Sequence, residues 1–169
     1  QTGFDQADLR IYDKDDSKST HSLEAVLDNS DFIFLSVPTP ASINDGSINL
    51  SILESVLSDI NSHGTKDGCV VLVRSTIVPG TTRRFQKMFK NITLVFNPEF
   101  LTERSAKFDF INQARFILGG EPENTEKVAE LFRIRFGNST PTIQTNFETA
   151  EFIKYMNNCY FATKVSFMN

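Results

Sequence analysis

Two glutamates at helical spacing could perform acid–base chemistry. They lie in the stretch Asn97 to Glu103, which follows an apolar run. We predict that a strand ends at Phe96 and a helix begins here, capped by Asn97, with Pro98 at its first position. Glu99 and Glu103, four residues apart, would then share a face at the end of a strand, where open α/β sheets bind ligands. The alternative is a capped helix start with two solvated glutamates.

A second candidate pair lies near the end of the chain. Lys154 and Asn158 are four residues apart in a run of helical periodicity, so they share a face. An ammonium and an amide on that face could stabilise a developing oxyanion, although a solvated polar stripe has the same spacing. Cys159 points about 100° away from Asn158 around the helix. We predict that Cys159 and Cys69 are packing residues.

Asp13 ends the first predicted strand, which spans residues 7–13. In dinucleotide-binding units an acidic residue at such a position binds the ribose hydroxyls, but acidic turns after strands are also common. The glycine fingerprint G-x-G-x-x-G, expected about 20 residues earlier, is absent from the sequence.

Small polar residues follow three predicted strands. They are Thr39 between Pro38 and Pro40, the pair Ser75 and Thr76, and the stretch that starts at Asn97. Each could be a simple stop signal. Together they would surround the carboxyl edge of one sheet, where a ligand would bind.

Apolar periodicity places these residues on an alternating pattern of elements. Strands are predicted at 32–37, 70–73, 92–96, 116–118 and 140–143. Helices are predicted at 22–27 with Ser22 as the cap, from residue 50, at 81–88 with Thr81 as the cap, at 123–136, and from 148 to the end. Such alternation indicates an α/β fold with a parallel sheet and helices on both faces.

Composition limits the possible classes of protein. The 169 residues suit one domain, and a net charge of −4 gives no reason to expect nucleic acid or a membrane surface as partner. The two cysteines lack metal-binding spacing, so we expect no metal and a cytoplasmic location. His21 and His63 receive no role. Because the chain begins with Gln and stops inside a predicted helix, we expect it to be a fragment.

The sequence resembles the UDP-glucose/GDP-mannose dehydrogenase family from about Leu9 to its last residue. The motifs that carry this resemblance are Val37-Pro38-Thr39-Pro40, Asp45-Gly46-Ser47, residues 74–81 (RSTIVPGT), residues 97–103 (NPEFLTE), residues 115–120 (RFILGG) and residues 150–158 (AEFIKYMNN).

The resemblance implies an NAD-dependent enzyme that oxidises the C6 alcohol of a nucleotide sugar to a carboxylate by two hydride transfers. Residues 1–146 would form a Rossmann-like NAD-binding domain truncated at its first strand. Residues 147–169 would begin a long central helix that forms a homodimer in the complete protein. The fragment would be inactive alone.

The resemblance also implies roles for individual residues. Those expected to bind the cofactor are Asp13, Lys18, Val37, Pro38, Thr39, Pro40, Ser75, Thr76 and Glu103. Glu99 would be the acid/base in hydrolysis of a thioester intermediate, Lys154 and Asn158 would stabilise the oxyanion, and Thr76 would position a water. The residues expected to bind the sugar nucleotide are Glu99, Phe100, Leu101, Thr102, Glu103, Lys154 and Asn158.

Three departures limit the resemblance. The family's nucleophilic cysteine belongs to a motif that this sequence does not contain, and Cys159 does not replace it. The glycine fingerprint is also missing, and Arg104 stands where the family usually has glycine. Two alternatives remain: a non-catalytic module that binds nucleotides or nucleotide sugars, and an enzyme like the β-hydroxyacid dehydrogenases.

Overall fold

The chain forms one five-stranded sheet flanked by helices. The computed structural model describes residues 7–169, apart from the side chain of Glu103. The strands are β1 (Phe32–Leu35), β2 (Val70–Val73), β3 (Leu94–Phe96), β4 (Phe116–Gly119) and β5 (Thr142–Thr145). The α-helices are α1 (Leu23–Asn29), α2 (Ser51–His63), α3 (Thr81–Met88), α4 (Ala106–Ile111), α5 (Pro122–Phe136) and α6 (Phe147–Met168). Short 3₁₀ helices span Asp16–Lys18 and Glu103–Ser105.

The strands lie in the order β1-β2-β3-β4-β5, and the first three are parallel neighbours. Their ends at Leu35, Val73 and Phe96 therefore lie on one side of the sheet, called here the carboxyl edge. The sheet is mostly parallel, as predicted, and the exception is β4, which meets β3 antiparallel at Phe96 and Gly119. Parallel strands need a crossover, usually a helix packed on the sheet. Helix α4 is only six residues long and none of them is buried, so it provides no such crossover.

Helices cover both faces of the sheet, as predicted. Alternate residues of a strand point to opposite faces, and β2 follows this rule. Val71 and Val73 belong to a core shared with α1, α2, α3 and α6, whereas Val70 and Leu72 pack against residues of α5. The continuous apolar run of β2 thus serves two cores, which is typical of a buried parallel strand.

The predicted first strand is wrong: residues 7–13 form no strand in the structure. The carbonyl of Ile11 instead accepts hydrogen bonds from the Thr20 and His21 amides at 2.9 and 3.1 Å. The Asp13 amide donates to the Ser19 hydroxyl at 2.8 Å. Alternating apolar residues form a strand only beside a ladder partner, and here the backbone bonds within its own loop.

The predicted helix boundaries agree with the structure more closely than the predicted capping residues do. Ser22 caps α1 as expected, since its hydroxyl accepts the Ala25 amide. Thr81 is not the cap of α3: Gly80 holds that position with a left-handed φ of 93°. Within residues 7–169, no helix combines the length and apolar character needed to cross a membrane.

Gly119 allows α6 to approach β4 closely. A Cβ at this position would lie 2.5 Å from the Ala150 Cβ and 3.0 Å from the Asn146 carbonyl oxygen. We expect Gly119→Ala to lower the free energy of unfolding by about 1–3 kcal/mol, because backbone must move to admit the methyl group. Urea denaturation measures this change.

Gly120→Ala is the matched control. The nearest atom to its added Cβ would be the Thr125 Cγ2, at 3.3 Å, on a side chain. Equal urea midpoints for the two variants would contradict the close packing of α6 on β4.

Candidate functional site

The segments that leave β1 and β2 are joined at the carboxyl edge by side-chain hydroxyls. The Ser75 hydroxyl donates to the Val37 carbonyl at 2.7 Å and accepts the Val37 amide at 3.2 Å. The Thr39 hydroxyl donates to the Thr76 carbonyl at 2.7 Å. Two of the three predicted polar strand ends are therefore in contact. Pro38 and Pro40, on either side of Thr39, are exposed.

The third polar strand end begins with Asn97, which is buried. Its side-chain oxygen accepts a hydrogen bond from Arg74 at 2.5 Å, and its side-chain nitrogen donates to the Ile117 carbonyl at 3.0 Å. Asn97 therefore links β2, β3 and β4. Because its amide is used in this way, it does not cap a helix, and that prediction was wrong.

Residues 97–102 form an irregular segment, so the predicted helix from Pro98 is also wrong. The Glu99 carboxylate accepts the Leu101 amide at 2.8 Å, a local bond that replaces helical pairing. The helical face that Glu99 and Glu103 were expected to share does not exist in this segment. The position of the Glu103 side chain lies outside what the structure describes.

The next turn is held by Asp109, whose carboxylate accepts hydrogen bonds from three groups of residues 102–105. They are the Thr102 amide at 2.8 Å, the Thr102 hydroxyl at 2.7 Å and the Ser105 hydroxyl at 3.0 Å. These bonds lower the pKa of Asp109, with the Thr102 amide the largest cause. The exposed Thr102 is thereby fixed at the end of the irregular segment.

Lys154 brings α6 to the carboxyl edge. Its ammonium donates to the backbone carbonyl of Glu99 and lies 3.3 Å from the Glu99 Oε1. It also lies 5.3 Å from the centre of the Phe100 ring. The Lys154 side chain is 7% exposed and that of Glu99 is 31% exposed, so the carboxylate opens to solvent while the ammonium does not. The geometry combines a shielded cation with a carboxylate that can reach water.

The remaining candidates are more exposed. Asn158 lies one turn beyond Lys154 on α6 and is exposed. Asp13 is exposed and accepts the Asp15 amide at 2.9 Å, while Lys18 pairs with Asp15 at 3.1 Å.

The two cysteines differ in environment. Cys69 is buried, as predicted, and burial raises the pKa of its thiol to about 11. Cys159 is exposed on α6, so its prediction as a packing residue was wrong. Residues 7–169 contain no cluster of three or more His, Cys, Asp or Glu side chains suited to a metal ion.

Two charged groups were missed at the sequence level, the half-buried Arg74 and the fully buried Glu151. Burial lowers the pKa of Arg74, while the charge of Glu99 opposes that shift. Burial raises the pKa of Glu151, while hydrogen bonds from Thr82 and Gly80 oppose it. The signal for Glu151 was its spacing: Phe147, Ala150, Glu151 and Lys154 follow the helical repeat and are all buried.

A mostly parallel sheet covered on both faces, with polar loops at its carboxyl edge, is the architecture of the doubly wound α/β domains, many of which bind nucleotides at that edge. Comparison with protein families identifies it further. Residues 9–135 match the model of the UDP-glucose/GDP-mannose dehydrogenase family, NAD binding domain. The chain belongs to this family of oxidoreductases, and its cofactor is NAD.

Similar proteins support the assignment. An uncharacterized protein of Methanocaldococcus jannaschii is 41% identical over 83% of this chain and 16% of its own length. The UDP-glucose 6-dehydrogenase AglM of Haloferax volcanii is 31% identical over 94% of this chain and 40% of its own length. The chain thus spans well under half of these relatives.

Solved structures confirm the Rossmann-like fold. A ternary complex of GDP-mannose dehydrogenase from Pseudomonas aeruginosa matches 85% of this chain and 35% of its own, with a TM-score of 0.75 at 28% identity. A UDP-glucose dehydrogenase from Pyrobaculum islandicum matches 89% of this chain and 36% of its own, with a TM-score of 0.70 at 30% identity.

Proposed function

We propose that this chain is part of a dehydrogenase that oxidises the C6 alcohol of a nucleotide sugar, of the UDP-glucose type, to the uronic acid by two successive hydride transfers. The observation that carries the proposal is the contact of the shielded Lys154 ammonium with Glu99 at the carboxyl edge. Family membership supports the same reaction.

The cofactor side of the site consists of the loop that contains Asp13 and Lys18, before α1, and of the loops after β1 and β2. Bound NAD supplies the hydride acceptor. The exposed carboxylate of Asp13 suits the neutral hydroxyls of a ribose, and Lys18 lies in the same loop. The cofactor is lined by two segments, Val37 to Pro40 and Ser75 to Thr76. Ser75 holds the two segments together, because its hydroxyl is hydrogen-bonded to the Val37 backbone. Glu103 completes the proposed cofactor contacts.

The substrate side consists of residues 99–103 and α6. Glu99 can exchange protons with water because its side chain is 31% exposed, and it acts as the acid/base. Lys154, fixed and shielded, stabilises a developing oxyanion together with Asn158. Thr76 positions a water. The segment Phe100 to Thr102 wraps the sugar nucleotide.

The proposed activity is that of a longer protein that contains this chain, since the matched relatives are more than twice as long. In that protein, residues 1–146 are the NAD-binding domain and residues 147–169 begin a central helix through which two copies pair. Exposed apolar side chains on α6, including Phe161, Val165 and Phe167, support the pairing. The 169 residues alone are inactive, and the complete protein acts in the cytoplasm.

Extending the reading frame and assaying its product tests the proposal. We expect a G-x-G-x-x-G motif upstream, a cysteine in a glycine-rich motif downstream, and reduction of NAD with UDP-glucose, GDP-mannose or a UDP-N-acetyl sugar. Two NAD reduced per sugar would agree with oxidation to the acid. Binding of a nucleotide sugar without NAD reduction would favour the non-catalytic module instead.

The ribose contact predicts an effect on cofactor affinity. In the complete protein, Asp13→Asn should weaken NAD binding about tenfold, because a hydrogen bond to a charged acceptor is lost. Isothermal titration with NAD measures the change. Asp16→Asn, three residues further in the same exposed loop, is the control and should bind as the parent does. Equal losses in both variants would contradict a specific role for Asp13.

A further inference from the structure

Glu151 is a buried carboxylate that joins α6 to the start of α3. It has no exposed surface. Its Oε2 accepts the Gly80 amide at 2.5 Å and its Oε1 accepts the Thr82 amide at 2.7 Å. The amides at a helix start carry partial positive charge, which favours a negative partner. Glu151 therefore fixes α6 against two defined atoms of α3.

One face of α6 carries three such contacts in succession. Glu148 forms an ion pair with Arg83 of α3, Glu151 binds the start of α3, and Lys154 reaches the Glu99 carbonyl. Residues three apart on a helix are neighbours on its surface, so Glu151 lies directly beside Lys154. A slide of α6 by one residue along its axis would move Lys154 by about 1.5 Å. A shift of that size in the donor–acceptor distance is enough to break a hydrogen bond.

On the α3 side, the residue that Glu151 binds belongs to a segment proposed to line the cofactor. Gly80 follows Pro79 at the end of the segment that begins with Ser75 and Thr76. A carboxylate that holds the Gly80 amide therefore holds one end of that segment, while Ser75 holds the other end against Val37.

We propose that Glu151 is a positioning residue, which sets Lys154 against Glu99 and anchors the segment 75–80 with the same carboxylate. The inference rests on the proposed function for the role of Lys154. An apolar side chain would fill the same space, but two hydrogen bonds to fixed amides define the register of the helix more strictly than packing does. Desolvating a carboxylate is costly, and a role in fixing the position of α6 would explain why one is buried here.

The reactivity of Lys154 tests the proposal in this chain, without cofactor or substrate. Reductive methylation followed by peptide mass spectrometry compares the rate at Lys154 with that at Lys164, an exposed lysine on the same helix. In the parent chain Lys154 should react much more slowly. Glu151→Gln puts an amide donor where an acceptor is needed and should raise the Lys154 rate about tenfold, with Lys164 unchanged.

Glu148→Gln is the matched control, because it weakens the α3 contact one turn earlier and leaves Glu151 intact. It should leave the Lys154 rate within about threefold of the parent, because Glu148 lies six residues from Lys154 and makes no contact with the Gly80 and Thr82 amides that Glu151 binds. A folded Glu151→Gln chain with unchanged protection of Lys154 would overturn the proposal. So would an equal rise in Glu148→Gln.

If Glu151→Gln fails to fold, Gly80→Ala tests the same contact from α3. Its added Cβ meets no atom within 4 Å, but the φ of 93° strains an alanine and should displace the amide that Glu151 binds. Unchanged Lys154 protection would again overturn the proposal. In the complete dehydrogenase, the folded variant should lower kcat with little change in the KM for the nucleotide sugar. Altered lysine reactivity in a protein that reduces no NAD would retain the positioning role and reject the proposed function.

Discussion

Lys154→Met in the proposed complete dehydrogenase should lower kcat by about 10²–10³-fold, the loss typical of removing one preorganised donor from an oxyanion site. Methionine matches the length and apolar stem of lysine but has no charge and donates no hydrogen bond. The Lys154 ammonium is shielded and directed at Glu99, so solvent cannot replace it. Steady-state NAD reduction at saturating cofactor and nucleotide sugar measures the effect.

Lys154→Met removes both the positive charge and the hydrogen bond that holds residues 97–102 in place, so a control must distinguish the two effects. Thermal melting and circular dichroism establish whether the variant is folded, and Lys164→Met supplies a control on the same helix, where the side chain is exposed. The control should retain the parent kcat. If Lys154 and Glu99 act together, Lys154→Met combined with Glu99→Gln should cost far less than the product of the single losses. A folded Lys154→Met enzyme with kcat within threefold of the parent would reject the role.

Phe116→Ala should lower the free energy of unfolding of this chain by about 3–5 kcal/mol, the usual cost of emptying an aromatic core position. Phe116 is 2% exposed at the start of β4. Its ring stacks on Phe132 of α5, with centroids 4.2 Å apart and planes 9° from parallel, and Phe136 lies 4.8 Å away. The substitution therefore leaves a cavity between β4 and α5.

Urea denaturation followed by far-ultraviolet circular dichroism measures this loss. Small domains have about 5–15 kcal/mol of stability in total, so the variant should unfold at a much lower urea concentration. Phe108→Ala is the control, because Phe108 is 68% exposed on α4 and its removal empties no cavity. Similar midpoints for the two variants would show that the packing of Phe116 between β4 and α5 contributes little to stability.

Several elements could be predicted from local pattern. The apolar run 70–73 forms β2, and the helical spacing after residue 50 forms α2. Ser22 caps α1 because its hydroxyl and the amide it accepts are only three residues apart. Local pattern also favoured a strand at residues 7–13, and there it failed, since a strand depends on a partner that local residues do not specify.

The candidate site was predicted only in part for the same reason. Adjacent placement of Thr39, Ser75 and Asn97 followed from the alternation of strands and helices. The conformation of residues 97–102 did not, because Asn97 and Pro98 suit a helix start locally. Tertiary bonds from Arg74 and to Ile117 use the Asn97 amide instead.

The sequence by itself determined the α/β class, the family and the residue types at the carboxyl edge, since periodicity and motif order are properties of the chain. Only the tertiary structure decided that β4 runs against β3, that Lys154 is held by Glu99, and that Glu151 is buried at the start of α3. Each of these depends on groups 20 or more residues apart competing with local alternatives. Burial strengthens the distant bonds by excluding water, so they prevail over what spacing alone favours.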